Sequence, residues 1–278
     1  MIEINNKNEY IDIFNDIDEL SKYVSTRPTK KGRGEEAINN EGDSWYGTKT
    51  FEEAIDKLTY GDDELYGSLK TELDKLNITK ILGNVSNKIK YENRMYGCTP
   101  NVPAFLQGNP LNMINPERTV LSHKVVNIFI NIRVGSYTKP ETITKIGSKY
   151  LAVINVLEKA GYRCNVYSGV ANSGCITDSL LMVRVKTDKE PFNLKKICFT
   201  IASPAMQRRI KFRWMEVNDC REDYTGSYGS TCYDGRLKDL LKYTKQDFII
   251  WNYERNNEEF TVEKILEELK EQGIKIDR

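Results

Sequence analysis

A run of β-branched and other apolar residues in the middle of the chain predicts a strand that is buried on both faces. It spans residues 125–132, and a capping-box pattern at residues 138–141 marks the start of a helix. Apolar positions recur along that helix at helical spacing until Gly161 ends it. Two more apolar runs, at residues 164–167 and 180–185, predict further strands. A strand, a helix and a strand at this spacing predict a parallel pair joined by a right-handed crossover.

The first part of the chain carries mostly helical patterns. Apolar residues recur at helical spacing over residues 10–24, and a capping box at residues 50–53 begins a second helix. A third helical pattern runs through residues 65–76. Residues 25–44 lose all periodicity and predict a loop or linker. Residues 98–116 contain four prolines but are too apolar for a solvated linker, so we interpret them as an ordered crossing segment.

The last third of the chain adds helices and one more strand. Residues 194–201 predict a short helix, and residues 203–214 predict another that begins at a Ser-Pro pair. Apolar residues near the end of the second segment also alternate, so part of it fits a strand as well. The remaining predicted elements are a helix, a strand and a terminal helix, at residues 236–243, 248–251 and 261–272.

These elements predict an α/β fold with a mostly parallel central sheet flanked by helices. We expect a helical and irregular N-terminal region, residues 1–116, packed on an α/β domain at residues 117–278. The order of the strands in the sheet stays open, because one sequence does not reveal it.

Composition excludes several classes of protein. With 39% hydrophobic and 29% charged residues, a chain of 278 residues can bury a substantial core. Lysine plus arginine number 41 and aspartate plus glutamate number 40, so no global field attracts nucleic acid or anionic lipid. No apolar stretch is long enough to span a membrane, and the six cysteines form no C-x-x-C pair. We therefore expect a cytoplasmic protein with reduced thiols and no membrane association.

The single histidine, His123, restricts the catalytic chemistry that is available. Any Ser-His-Asp or Cys-His arrangement would have to use this residue. It precedes an apolar run, and we interpret it as a polar residue at the entrance of a strand. Asp178 and Asp234 are the acidic residues in plausible positions at the sheet rim. A metal-dependent hydrolase would need several such groups to converge. It is therefore the functional hypothesis that we favour least.

The turn after the first predicted central strand is the default place to look for a ligand, because open α/β sheets bind ligands beyond the carboxyl ends of their strands. It contains no glycine-rich phosphate-binding motif. From about residue 120 to residue 275 the pattern resembles a von Willebrand factor A-type domain. In that family the first strand ends in D-x-S-x-S, whose aspartate and hydroxyls hold a divalent cation.

On this sequence the D-x-S-x-S pattern falls at Asn131, Arg133 and Gly135, with Ser136 one residue out of register. A guanidinium group cannot bind a metal, and hard cations need oxygen ligands. The resemblance therefore implies a degenerate metal site, and we predict neither a metal nor another cofactor. Arg133 and Ser136 become candidates for contact with a partner.

A second resemblance concerns three short motifs spread over the chain. Residues 45–54, residues 101–113 and residues 203–214 resemble an uncharacterised protein family of tailed bacteriophages. The resemblance implies a phage origin, and thus a location in the host cytoplasm, but it assigns no activity and no catalytic residue.

A basic cluster interleaved with aromatic residues lies in the third of those motifs. One interpretation is a phosphate or nucleic-acid contact with aromatic stacking. The other, which we favour, is a helix whose aromatic face enters the core and whose arginines are solvated or paired with Glu216 and Asp219. The four basic residues are Arg208, Arg209, Lys211 and Arg213.

The loop at residues 223–235 has the composition of a recognition surface, with tyrosines for contact area and Ser and Gly for adaptability. An ordinary long surface loop has a similar composition. We predict a phage-encoded, non-catalytic protein that engages a protein partner through the strand-end rim and this loop, with a nucleic-acid-binding or nucleic-acid-processing protein as the alternative. The loop residues expected to contact the partner are Tyr224, Tyr228 and Tyr233.

Overall fold

The structure is a computed structural model. It describes residues 1–5, 9–30, 34–42, 44–75, 90–117, 124–173, 177–218, 230–231, 234–253, 261–271 and 274. His123, Asp219, Tyr224, Tyr228 and Tyr233 lie outside the described residues. Within the described residues, no helix is long and apolar enough to cross a membrane.

The strands of the described residues form two separate sheets. In chain order they are β1 (Ile2–Asn5), β2 (Glu9–Phe14), β3 (Lys90–Arg94), β4 (Thr99–Pro100), β5 (Met113–Glu117), β6 (Val125–Asn131), β7 (Arg163–Ser173), β8 (Asp178–Lys186), β9 (Ser230–Thr231) and β10 (Ile249–Asn252).

Helices connect and cover these strands, and the elements of the described residues include two helical segments that are not α-helical. The α-helices are α1 (Ile17–Thr26), α2 (Glu36–Asn39), α3 (Phe51–Tyr60), α4 (Asp63–Lys75), α5 (Val102–Leu106), α6 (Pro140–Lys159), α7 (Leu194–Ala202), α8 (Phe212–Asn218), α9 (Asp234–Leu241) and α10 (Val262–Glu271). A π-helix spans Met206–Lys211, and a 3₁₀-helix spans Lys242–Thr244.

The central sheet runs in the order β1-β2-β8-β7-β6-β10, and β9 pairs with β7 beside this path. Three of the five pairings along the path are parallel, namely β2 with β8, β7 with β6, and β6 with β10. The pairs β1–β2 and β7–β8 are antiparallel. The predicted α/β class, with a mostly parallel central sheet flanked by helices, is confirmed.

The predicted strand-helix-strand unit is β6, α6 and β7, and its strands pair in parallel. The predicted capping box at residues 138–141 does not form, because α6 begins at Pro140 and Lys139 makes no capping hydrogen bond with its side chain. Proline suits this first position, since its φ is already helical and it lacks an N–H that would need a partner. Gly161, with a positive φ of 89°, follows the end of α6, where the sequence predicts that the helix stops.

The N-terminal region differs from the helical prediction, because residues 2–5 and 9–14 add two strands to the central sheet. The predicted helix at residues 10–24 is correct only from Ile17, where Asp16 caps α1 by accepting a hydrogen bond from the Glu19 amide at 2.8 Å. In β2 the last four residues are all buried. A strand buried on both faces has no alternation to distinguish it from a helix, which explains the error.

Thr50 caps α3 as predicted, whereas Glu53 accepts from the residue before the cap and not from Thr50 itself. The Thr50 hydroxyl accepts from the Glu53 amide at 3.2 Å, and the Glu53 carboxylate accepts from the Lys49 amide at 2.8 Å. Residues 203–214 are helical rather than extended, and the predicted last strand and terminal helix are β10 and α10.

Helices pack on both faces of the central sheet. On one face, Ile128 and Ile130 of β6 belong to a large apolar cluster that also contains residues of α1, α3, α6, α7 and α10. On the other face, Phe129 belongs to a smaller cluster with Leu237 and Leu240 of α9. Alternate residues of one strand are thus buried on opposite faces, as the apolar run predicts.

The predicted crossing segment at residues 98–116 forms most of a second, three-stranded antiparallel sheet in the order β3-β5-β4. Helix α5 lies between β4 and β5 in sequence, and Asn101 caps it by accepting from the Ala104 amide at 3.3 Å. Gly97 approaches the Ile114 carbonyl so closely that a Cβ atom would collide with it. This region, residues 90–117, is called the small sheet below.

Candidate functional site

The edge of the central sheet where ligands are expected is crossed by buried amide side chains. Asn131 and Asn252 lie at the carboxyl ends of β6 and β10, and the Asn131 Nδ2 donates to the Asn252 Oδ1 at 3.4 Å. The Asn131 Oδ1 accepts from the backbone amides of Arg133, at 3.4 Å, and of Ala171, at 3.3 Å. Asn131 therefore links three strands.

The turn after β6 is partly covered by the N-terminal region. Arg133 is only 8% exposed, whereas Ser136 is exposed and the side chain of Tyr137 is almost fully so. The Trp45 indole donates to the Ser136 carbonyl at 3.0 Å. The side chain of Gln207 holds the turn by two hydrogen bonds to the backbone of Val134. Its Oε1 accepts from the Val134 amide at 3.2 Å, and its Nε2 donates to the Val134 carbonyl at 2.9 Å. Of the two predicted contact residues in this turn, only Ser136 lies at the surface.

The four basic residues of the predicted cluster are buried. Arg209 is fully buried, and its guanidinium group donates to five backbone carbonyls of the segment at residues 37–49. These bonds are 2.6–3.3 Å long, and the Tyr46 ring lies 4.0 Å from the Arg209 Cζ. Burial lowers the pKa of Arg209 below its usual range. This arginine anchors a segment that overlaps the end of the predicted loop or linker at residues 25–44, part of which forms α2.

The other basic residues are engaged in the same way. Arg208 donates to the carbonyls of Trp45 and Thr138, and burial lowers its pKa to about 10. Lys211 donates to the Asn172 Oδ1 at 2.8 Å. The partners of Arg213 include the carbonyls of Val24 and Arg27, at 3.2 and 2.8 Å, and the Glu216 carboxylate at 3.6 Å.

Of the two expected environments for the arginines, solvation or pairing with Glu216 and Asp219, the structure shows burial and one pairing with Glu216, at Arg213, while Asp219 lies outside the described residues. The sequence could not show this, because most of the partners are backbone carbonyls of residues far away in the chain. Aromatic residues of this segment enter the interior as expected, since Trp214 is fully buried. This burial leaves little of the four basic side chains for contact with a phosphate.

A buried carboxylate on β2 lies under Trp214. Asp12 is fully buried, and its Oδ2 accepts from the Trp214 indole at 2.6 Å and from the side-chain Nδ2 of Asn218 at 3.1 Å. The Tyr23 hydroxyl extends the network by donating to the Asn218 Oδ1 at 2.7 Å. Burial raises the pKa of Asp12 to about 6, although the bond from Trp214 opposes this shift. The signal that could have predicted this site is an aspartate inside an apolar run.

Asp178, one of the two rim acids, is engaged in ion pairs. The Arg236 Nε lies 2.5 Å from the Asp178 Oδ2, and the Arg236 Nη2 lies 2.9 Å from Glu9. The Tyr243 hydroxyl donates to the second Glu9 oxygen at 2.5 Å. The side chain of Asp234 is not among those described. In the described part of the chain, no three His, Cys, Asp or Glu side chains are placed to hold a metal.

The small sheet presents a set of large apolar side chains to solvent. Within residues 91–116, Ala104 alone is buried, and even Ala104 remains 8% exposed. None of these residues belongs to either apolar cluster of the central domain. The seven exposed apolar side chains, called the small-sheet surface below, are Tyr91, Met95, Tyr96, Val102, Phe105, Leu106 and Leu111.

Helix α5 is oriented with its bulky face outward. Val102, Phe105 and Leu106 occupy positions i, i+3 and i+4, so they share one face, and they are 55%, 65% and 78% exposed. The small residue Ala104 faces inward instead. These residues were not among the predicted contacts, although the sequence carries a signal for this surface, since no charged residue occurs between Arg94 and Glu117.

Comparison with known proteins assigns the chain to a family without an established activity. No curated protein and no solved structure matches it. A family model described as Domain of unknown function (DUF7192) matches residues 2–275, and the chain therefore belongs to this family.

Proposed function

We propose that this protein is a non-catalytic binding protein that engages a protein partner through the small-sheet surface. The observation that carries the proposal is the outward apolar face of α5, in a region with almost no buried residue of its own. A small sheet gains stability in water from an apolar face or from packing against a helix, and the small sheet buries almost none of its apolar side chains. A protein partner would supply that packing.

The composition of the surface fits a protein interface. The cores of such interfaces are rich in aromatic residues and methionine and poor in charged residues. The small-sheet surface contains Tyr91, Tyr96, Phe105 and Met95, within a stretch that is almost free of charge. Burial of apolar surface contributes about 25 cal/mol per Å², so its transfer from water to a partner would favour binding.

The strand-end rim is a second part of the proposed interface. Ser136 and Tyr137 are exposed on the turn after β6, so this turn could contribute contacts. The tyrosines at positions 224, 228 and 233 stay in the proposal on the basis of sequence alone. A role for Arg133 as a direct contact is not supported, because its side chain is buried.

The fold family and the origin of the protein are also proposals. A von Willebrand factor A-type domain with a degenerate metal site agrees with the use of the Asn131 oxygen for backbone amides. A phage origin rests on the three short motifs alone. We do not favour nucleic-acid binding through Arg208, Arg209, Lys211 and Arg213, since internal groups already accept their hydrogen bonds.

Affinity isolation from the cells that produce the protein tests the proposal. The tagged wild-type protein should retain a protein in stoichiometric amount, either an untagged second copy produced in the same cells or another chain, and the double variant Phe105→Asp, Leu106→Asp should lose it. Tyr60→Asp is the matched control, because Tyr60 is 78% exposed and lies on α3, outside the small sheet. Retention of the same protein by the double variant would refute this surface, and Tyr137→Asp tests the rim separately.

A further inference from the structure

We infer that the partner of the small-sheet surface is a second copy of this chain, so that two copies associate through this surface. This inference rests on the proposed function and makes it specific. It depends on the charge, the area and the missing core of the small sheet.

Charge permits self-association at this surface. The whole chain has a net charge of only +1, and the stretch between Arg94 and Glu117 has no charge that would repel its own copy. At the margin, Arg94 pairs with Glu92 at 3.3 Å, which contributes one charge of each sign. A two-fold contact presents the same patch from both sides, so a patch without a dominant sign is compatible with itself.

The absence of charge also argues against selection of an unrelated protein. Specific partners are distinguished largely by complementary charges and by the repulsion of wrong partners. The small-sheet surface offers apolar area with little charge pattern to recognise, whereas a second copy needs only to match the shape of the first. Closed two-fold dimers are the commonest oligomers of soluble proteins.

The total exposed apolar area is comparable with the area that one partner buries in a stable dimer. With fully exposed side chains of about 150–250 Å² each, the seven residues expose on the order of 800 Å². A standard protein interface removes roughly 800 Å² from each partner. A second copy would thus cover the outward face of α5 and give both small sheets the apolar layer that each lacks.

Sedimentation velocity of the purified protein over a range of concentrations tests the inference. The wild-type protein should sediment as a species of about twice the 32.1 kDa mass of one chain. The double variant Phe105→Asp, Leu106→Asp should weaken the association by at least about 100-fold, because central apolar residues dominate interface energies. Tyr60→Asp should leave it unchanged.

A second variant protects the test against misfolding. Leu111→Asp changes a residue of the surface that lies outside α5 and the strands, and it should also yield a monomer with an unaltered far-UV circular dichroism spectrum. A wild-type protein that is monomeric at every concentration, or variants that dimerise like the wild type, would overturn the inference. A monomer that still captures a different protein through Phe105 would overturn only the dimer and leave the proposed function intact.

Discussion

The charged guanidinium group of Arg209 binds backbone carbonyls inside the molecule, from three parts of the segment at residues 37–49. Its guanidinium group reaches carbonyls of Ala37 and Asn40, of Gly42, and of Thr48 and Lys49. The π-helix that carries it is a rare conformation and often marks a position with a special role. The role here is to hold a segment with little regular structure against the domain.

Replacement of this arginine should therefore destabilise the fold. We expect Arg209→Met to lower the free energy of unfolding by at least about 3 kcal/mol, because several buried carbonyls lose a charged donor. Urea denaturation measures this change. Lys196→Met, at a half-exposed lysine of α7, is the control and should change stability by less than about 0.5 kcal/mol. An unaltered stability of Arg209→Met would contradict the stabilising role of these hydrogen bonds.

Asp12 should make stability depend on pH in an unusual direction. Its pKa is raised from 3.8 to about 6 by burial, so the folded protein binds a proton that the unfolded chain releases between these values. The contribution of Asp12 to stability should then fall as the pH rises from about 4 to about 6, by roughly 3 kcal/mol in total, and stay lower above that range.

The variant Asp12→Asn tests this origin of the pH dependence. Asparagine keeps an oxygen acceptor for Trp214 and cannot ionise, so the decline between pH 4 and pH 6 should be reduced. Urea denaturation of both proteins at pH 4.5 and pH 7.5 gives the comparison. The same pH dependence in wild type and variant would show that Asp12 is not its source.

At the scale of elements, the sequence allows prediction of those parts whose pattern is determined locally. The strand-helix-strand unit of β6, α6 and β7 has a continuous apolar run, a helical stripe and a terminal glycine, so its elements and parallel pairing could be predicted. Strand β2 could not, because burial on both faces removes the alternation that identifies a strand.

The burial of Arg209 and the exposure of α5 were harder to predict, because both depend on contacts between distant parts of the chain. The burial of Arg209 depends on carbonyls about 160 to 172 positions away in the chain, and no local pattern shows them. The outward face of α5 likewise depends on which side of a five-residue helix meets the small sheet. Apolar composition predicted order in residues 98–116, and it did not reveal that the apolar groups lie outside.

The contact between α6 and α7 gives a prediction at the element scale. A Cβ atom added to Gly147 would lie 2.6 Å from atoms of Ala202 and 2.7 Å from the Tyr253 hydroxyl. We expect Gly147→Ala to destabilise the protein by about 2 kcal/mol, because the two helices would have to separate. Thermal and urea denaturation measure the effect.

Gly67 of α4 provides a matched control for this substitution. An added Cβ atom meets nothing within 4 Å there, and the residue is exposed. Gly67→Ala should stabilise the protein by about 0.5–1 kcal/mol, since alanine favours the helix over glycine. A similar effect of both substitutions would contradict the close packing of α6 on α7.

At the scale of the whole molecule, the central domain and the small sheet differ in how they are stabilised. The central sheet has helices and apolar clusters on both faces. The small sheet, in contrast, exposes nearly all of its described side chains. We therefore assign stability to the central domain and propose that the small sheet serves recognition.

Photocrosslinking at position 105 tests this assignment most directly. Phe105 is replaced by p-benzoylphenylalanine in cells that produce the protein, and Tyr60 is replaced in the same way as a control. Irradiation should join position 105, and not position 60, covalently to a protein, either a second copy or another chain. Equal adducts at both positions, or no protein adduct at position 105, would contradict the claim that the small-sheet surface binds a protein.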